Sequence, residues 1–199
     1  MIFASQNKHK LREMLELLPA VALEPLPDGF ELPPEHGDSF AEIALDKARA
    51  ACAATGQPAL ADDSGIEVAA LGGRPGIHSA RYGGEGATDE ENLAKLLDEV
   101  AATGGGRGAA YVCALAFVDP DGSERVVEAR CEGQLIEAPR GQGGFGYDPA
   151  FVPDATGADD PRTMSELSQA EKNEISHRGR AARLLAGLLD RRPEAAAGK

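Results

Sequence analysis

Asp62 and Asp63 stand side by side between a short apolar run, Pro58-Ala59-Leu60-Ala61, and the dipeptide Ser64-Gly65. Two adjacent carboxylates and a hydroxyl at such a break suit the binding of a divalent cation or the activation of a water. The apolar run has the composition of a buried strand, and Gly65 is expected to turn the chain sharply after it. Strand ends open onto ligand crevices in α/β sheets, which is where such carboxylates are useful. Taken alone, Asp-Asp-Ser-Gly is more often a plain turn whose aspartates bond their own backbone. The rest of the chain shifts that balance.

Four further segments carry candidate chemistry. Ser5-Gln6-Asn7-Lys8-His9-Lys10 lies between a first strand and a first helix, where backbone N–H groups and the positive helix end converge on an anion. The glycines of a Walker loop are missing, and an ordinary helix start with solvated lysines fits about as well. Glu42 and Lys47 share an alanine-rich helix, with Glu42 already occupied as a capping-box residue. Gly143-Gly144-Phe145-Gly146-Tyr147-Asp148-Pro149 leaves one face of Phe145 uncovered, which suits a flat base, while Asp148 accepts from ring N–H groups; a tight turn with Phe145 filling a core gap is the alternative. Lys172, His177 and Arg178 sit at the entry to the last helix, as solvated charges or as ligands for an anion or carbonyl-rich group. His177 fits a general acid or base and equally a neutral donor.

The elements that must position these residues follow from pattern. Met1-Ile2-Phe3 reads as a short strand. Leu11, Met14, Leu15 and Leu18 place one apolar face on a helix over 10–18. Pro25 to Pro34 predicts an irregular connection. Ser39-x-x-Glu42 and Thr88-x-x-Glu91 are capping boxes heading helices to about Ala54 and Val100. Residues 72–76 and 81–84 read as loop, and 103–108 as a flexible glycine-rich connection. Asp119-Pro120-Asp121-Gly122 joins two strand-like runs, 110–118 and 124–136, into a hairpin. A second glycine-rich loop covers 141–154, a last helix 178–190, and a frayed tail 191–199. Helices alternating with strands, plus one hairpin, predict an α/β fold with a mixed sheet.

Composition narrows the function classes. The chain has 199 residues, 42% apolar and 27% charged, an ordinary globular mix. Its net charge of −13 repels polynucleotides at long range, so no nucleic-acid partner is expected. Local cations such as Lys8, Lys10, Lys47, Lys172 and Arg178 leave a small anion admissible. No apolar run reaches the ~18 residues of a membrane span, and no membrane partner is expected. Cys52, Cys113 and Cys131 show no paired spacing, which suits the cytoplasm and argues against disulfides and zinc.

Taken together and in order, these segments resemble the inosine/xanthosine triphosphate pyrophosphatase family. The resemblance rests on Ser5, Asn7 and Lys10; Phe40-x-Glu42-x-Ala44 with Lys47-Ala48; Ala61-Asp62-Asp63-Ser64-Gly65; and Leu71-Gly72-Gly73-x-Pro75-Gly76-x-x-Ser79-Ala80-Arg81-Tyr82. It continues with Gly144-Phe145-Gly146-Tyr147-Asp148-Pro149, Glu166-Leu167, Lys172 and Ser176-His177-Arg178-Gly179. Gln6 and His9 depart from the usual glycines of the first loop, and Ile43 from the usual asparagine.

The resemblance implies a two-lobed α/β domain over 1–190, a central mixed sheet flanked by helices, an active site in the interlobe cleft, and a homodimer. It implies Mg²⁺-dependent hydrolysis of ITP, dITP and XTP to the monophosphate and pyrophosphate. Asp63 is then the catalytic residue and a metal ligand, with Glu42 the second carboxylate, direct or through water. Ser5, Gln6, Asn7, Lys8, His9, Lys10, Lys47, Ser64, Phe145, Gly146, Tyr147, Asp148, Lys172, His177 and Arg178 are the substrate-binding set. Because side chains alternate along a strand, only one aspartate should face the cleft; Asp63 is assigned to the site and Asp62 to the structure. Lys172 or Arg178 would satisfy the 6-oxo group of a deaminated purine and meet an unmatched amino group in adenine. A pyrophosphatase for other nucleotides and a non-catalytic nucleotide sensor are the alternatives.

Overall fold

The computed structural model describes residues 1–190; the predicted tail 191–199 lies outside them. Six strands form one mixed sheet in the order β2-β1-β3-β4-β5-β6. They are β1 (Ile2–Phe3), β2 (Glu24–Pro25), β3 (Ala59–Val68), β4 (Gly108–Val118), β5 (Glu124–Leu135) and β6 (Phe151–Pro153). β1 is parallel to β2 and β3, and the remaining pairs are antiparallel. The helices are α1 (Lys8–Leu17), α2 (Phe40–Thr55), α3 (Asp89–Thr103), α4 (Gln169–Ile175) and α5 (His177–Leu189).

The core divides at the waist of the long strands. On one face of one half, Ala59, Ala61, Ala114 and Val118 pack against Phe40, Ala44 and Ala48 of α2. On the opposite face, Leu60, Leu115 and Phe117 pack against Met14 of α1 and Ala182 and Leu185 of α5. In the other half, Ile66, Val68, Tyr111 and Leu135 meet Leu93 and Leu96 of α3 and Phe151 of β6. Asp62, Asp63 and Ser64 sit where these clusters part, so the polar interruption in β3 marks the cleft between two lobes.

That placement corrects the expected turn. β3 continues without a break through Asp62-Asp63-Ser64-Gly65, paired residue by residue with β4 from Ala59↔Val118 to Val68↔Ala109. Gly65 has no positive φ; a Cβ there would lie 2.4 Å from Ser79 Oγ and 2.5 Å from the Gly76 carbonyl oxygen. The glycine permits a close backbone approach, not a turn. The edge of β3 opens because β1 ends at Phe3, opposite Leu60. The short helical turn Gly76–Arg81 then covers part of β3, with Ser79 Oγ accepting from Ile66 N at 2.8 Å.

The boxed helices α2 and α3 and the β4–β5 hairpin match their sequence patterns. α2 differs in one detail: Ser39 Oγ accepts from Glu42 N, but the Glu42 carboxylate reaches Asp38 N, not its own cap residue. Leu15, expected on the buried face of α1, is 45% exposed, and Glu13 is buried instead. β2 emerges at the start of the proline-rich connection and β6 inside the second glycine-rich loop, each too short for a periodic signal. α4 also lay unread, although Ser168-x-x-Glu171 forms a full capping box. Among the described residues no helix is long and apolar enough to cross a membrane.

Candidate active site

The cleft holds two chambers that share Asn7, Lys10, Ser64 and Ala80. The first, about 110 Å³, is bounded by Tyr111, Phe145, Gly146, Tyr147, Asp148, Lys172, His177 and Arg178. The second, about 380 Å³, is bounded by Ser5, Gln6, Glu35, Lys47 and Asp63. Asn7 caps α1 at their junction, its Oδ1 accepting from His9 N and Lys10 N at 2.9 and 3.2 Å.

The first chamber is floored by a continuous charge network. Glu13 Oε1 accepts from Lys172 Nζ at 2.8 Å and its Oε2 from Arg178. Lys172 also donates to Asp148 Oδ2 at 2.8 Å, and that oxygen accepts from Phe145 N at 3.1 Å. Arg178 reaches Ser64 Oγ at 2.9 Å and Asp62 Oδ2 at 3.3 Å, and Lys10 closes on the same Asp62 oxygen at 2.9 Å. Burial by itself would raise the carboxyls of Glu13 and Asp62, but the adjacent cations outweigh it and hold both below the usual carboxylate range. Burial would likewise lower Lys172, yet Asp148 and Glu13 raise it. Two of its three N–H donors are taken by carboxylates, which leaves one for a ligand.

His177 stacks on Tyr111 with centroids 4.6 Å apart and planes 5° apart. Burial first, then the charges of Arg178 and Lys172, push its pKa well below the ordinary histidine value. The imidazole is therefore neutral, and its Nδ1 is buried without a partner among the described residues. Tyr147 closes the wall by donating to the Ser79 carbonyl at 2.7 Å, and Gly146 N donates to Asp89 Oδ2 at 2.7 Å. Gly144, at φ 72°, must lack a side chain because a Cβ would fall 2.1 Å from Asp148 Oδ2.

The second chamber is organised by Lys47 on α2. Its Nζ donates to Asp63 Oδ1 at 2.8 Å and approaches Glu35 Oε1 at 2.6 Å; Arg81 holds the other Glu35 oxygen at 2.8 Å. Burial raises the Asp63 carboxyl, and Lys47 offsets only part of that shift. Asp62 and Asp63 do point to opposite faces of β3, one into each network. Asp62 is more than a distant support, since it anchors the Lys10 and Arg178 that border the chambers.

Most of the substrate-binding set predicted from sequence is gathered here. Ser5, Gln6, Asn7, Lys10, Lys47, Asp63 and Ser64 border the wider chamber, and Phe145, Gly146, Tyr147, Asp148, Lys172, His177 and Arg178 the narrower one. Lys8 does not join them; it is exposed on the first turn of α1 and borders neither chamber. His9 lies outside both, against Phe145. Glu42, expected as the second carboxylate, borders neither chamber; its carboxylate accepts from the Asp38 backbone N–H, while Glu35 and Asp63 share the Lys47 ammonium. Glu13, Glu35, Tyr111 and Asp89 were missed. An acidic residue beside Met14 on a helix carries no local signal of burial, and one after a proline pair carries none of the cations it will meet.

This α/β protein carries a narrow ring-lined chamber opening into a wider one of lysine and carboxylates. The chain belongs to the Ham1 family, whose model matches residues 1–188. A Frankia alni protein named dITP/XTP pyrophosphatase is 50% identical, over 94% of this chain and 96% of its own. One of the same name from Symbiobacterium thermophilum is 48% identical, over 97% and 94%. Among solved structures, a HAM1 protein from Coxiella burnetii has a TM-score of 0.83 at 40% identity, covering 96% of this chain and 98% of that one.

Proposed function

We propose that this chain hydrolyses deaminated purine nucleoside triphosphates, namely dITP, ITP and XTP, to the monophosphate and pyrophosphate. The observation that carries the reading is the pairing of a narrow, charge-balanced ring chamber with a wider carboxylate–lysine chamber across Lys10 and Ser64. The names of the relatives agree with it.

The purine would enter the narrow chamber beside Phe145, its 6-oxo group facing the free donor of Lys172 and the guanidinium of Arg178. A 6-amino group would place donor against donor in a dry site and leave a buried polar pair unmade. Neutral His177 offers a further polar contact through Nδ1. In the wider chamber, Lys47 and Arg81 are already balanced by Asp63 and Glu35. A tetra-anionic triphosphate therefore needs added positive charge, and two oxygen ligands at its side fit Mg²⁺, which takes one or two protein carboxylates and completes its shell with phosphate and water. Asp63 and Glu35 would hold that ion, which supplies charge neutralisation at the phosphates. Asp63, made more basic by burial, accepts the proton of the water attacking the α-phosphorus. Lys10 and Lys47 balance charge on the departing pyrophosphate. The reading includes a homodimer acting in the cytoplasm to clear the nucleotide pool.

The test is a Mg²⁺-dependent assay of dITP, ITP and XTP beside ATP and GTP, with the released product identified. Pyrophosphate from the first three and little turnover of the others is expected. Release of single phosphates, or tight dITP binding without turnover, would overturn the reading.

A further inference from the structure

Phe145 is flanked by Gly144 and Gly146, so no neighbouring side chain in the loop steadies its ring. The loop backbone is fixed through Asp148 to Phe145 N and through Asp89 to Gly146 N, but neither bond restrains the side chain. The ring borders both the narrow chamber and a separate outer groove, and His9 borders only the groove. The His9 imidazole stacks on Phe145 with centroids 5.5 Å apart and planes inclined by 28°. From the chamber, Lys172 Nζ and Arg178 Cζ lie 5.0 and 5.7 Å from the ring centroid. The His9 backbone is itself held by the Asn7 cap at the start of α1.

We propose that His9 is a positioning residue for base recognition: its imidazole backs the outer face of Phe145 and holds that ring where a purine stacks from within. This rests on the nucleotide reading above, and it departs from the phosphate-cradle role that its sequence position suggests. α1 thus contributes to both ends of the substrate, Lys10 toward the phosphates and His9 toward the base.

Steady-state kinetics on dITP with His9→Ala, His9→Phe and His9→Lys, together with inhibition by inorganic tripolyphosphate, test the proposal. His9→Ala should raise KM about threefold to tenfold, the scale of one aromatic pair, with kcat changed less than about twofold on the same scale. His9→Phe should restore KM, His9→Lys should not, and tripolyphosphate inhibition should stay at the wild-type value. Rescue by His9→Lys with weakened tripolyphosphate inhibition would overturn the proposal in favour of a phosphate contact. An unchanged KM in His9→Ala would overturn it outright. Either result with an active wild type leaves the nucleotide reading standing; a wild type that neither binds nor turns over dITP removes both.

Discussion

The two chambers share four residues but handle charge and distance in different ways. In the narrow one, Lys10, Lys172 and Arg178 are matched against Glu13, Asp62 and Asp148, with Glu13, Lys172 and Arg178 side chains at most 10% exposed. Its residues come from positions 7 to 178. The wider one is lined only by positions 4 to 80 and is held more loosely, its Glu35 29% exposed and paired with Arg81 just outside, 41% exposed. The narrow chamber's charges are paired without a ligand, which under the proposed function suits discrimination between bases. The wider one is likewise paired without ligand; under the proposed function it must re-pair those charges around a polyanion, which suits chemistry more than selection.

Substitutions can break this contrast. The largest effect is expected at Asp63→Asn, which removes the basic oxygen and should lower kcat by about 10²–10⁴ with the fold retained by circular dichroism. Near-wild-type turnover would remove Asp63 from the chemistry. Glu13→Gln strikes the other chamber and leaves Lys172 and Arg178 under-compensated. It should cost ~3 kcal/mol of stability in urea unfolding, and an unchanged midpoint would contradict the preset network.

That network also predicts an acid response. Glu13 and Asp62 are held below their ordinary values by Arg178, Lys172 and Lys10 against the opposing effect of burial. Their contribution is fully present above the unfolded carboxyl values of about 3.9–4.3 and is lost as pH falls through the lower folded values. Stability should therefore drop below about pH 4, with a shallower slope in Glu13→Gln. Equal slopes would place the acid sensitivity elsewhere.

Phe145→Ala comes next. It should raise KM for dITP about tenfold, within the range of base–aromatic stacking; an unchanged KM would reduce the ring to packing. The smallest effect is expected at Glu42→Ala, which removes a backbone acceptor near a helix start worth about 0.5–1 kcal/mol and should leave kcat near wild type. A large fall in kcat would return Glu42 to the metal and displace Glu35.

Local chemistry was legible wherever a short window contains its own reason. Thr88-x-x-Glu91 caps α3 within four residues, and Asp119-Pro120-Asp121-Gly122 turns a hairpin whose arms pair along their whole length. The site motifs were legible as residue types in order, which is why Lys10, Asp63, Phe145, Lys172 and Arg178 were found. Glu13 and Glu35 were not, because each acts only through a partner remote in sequence: Lys172 lies 159 residues from Glu13.

The sequence by itself determined the capped helices, the hairpin and the inventory of carboxylates, cations and one glycine-framed ring, since these depend on neighbours within a few positions. Only the tertiary structure decided that β3 runs straight through its acidic pair, that Gly65 answers a contact from Ser79, and that Glu35 and Asp63 meet on Lys47. It also decided that the His9 ring stacks on Phe145. Burial and pairing across the cleft are properties of surfaces brought together from distant segments, and no local pattern encodes the distance between them.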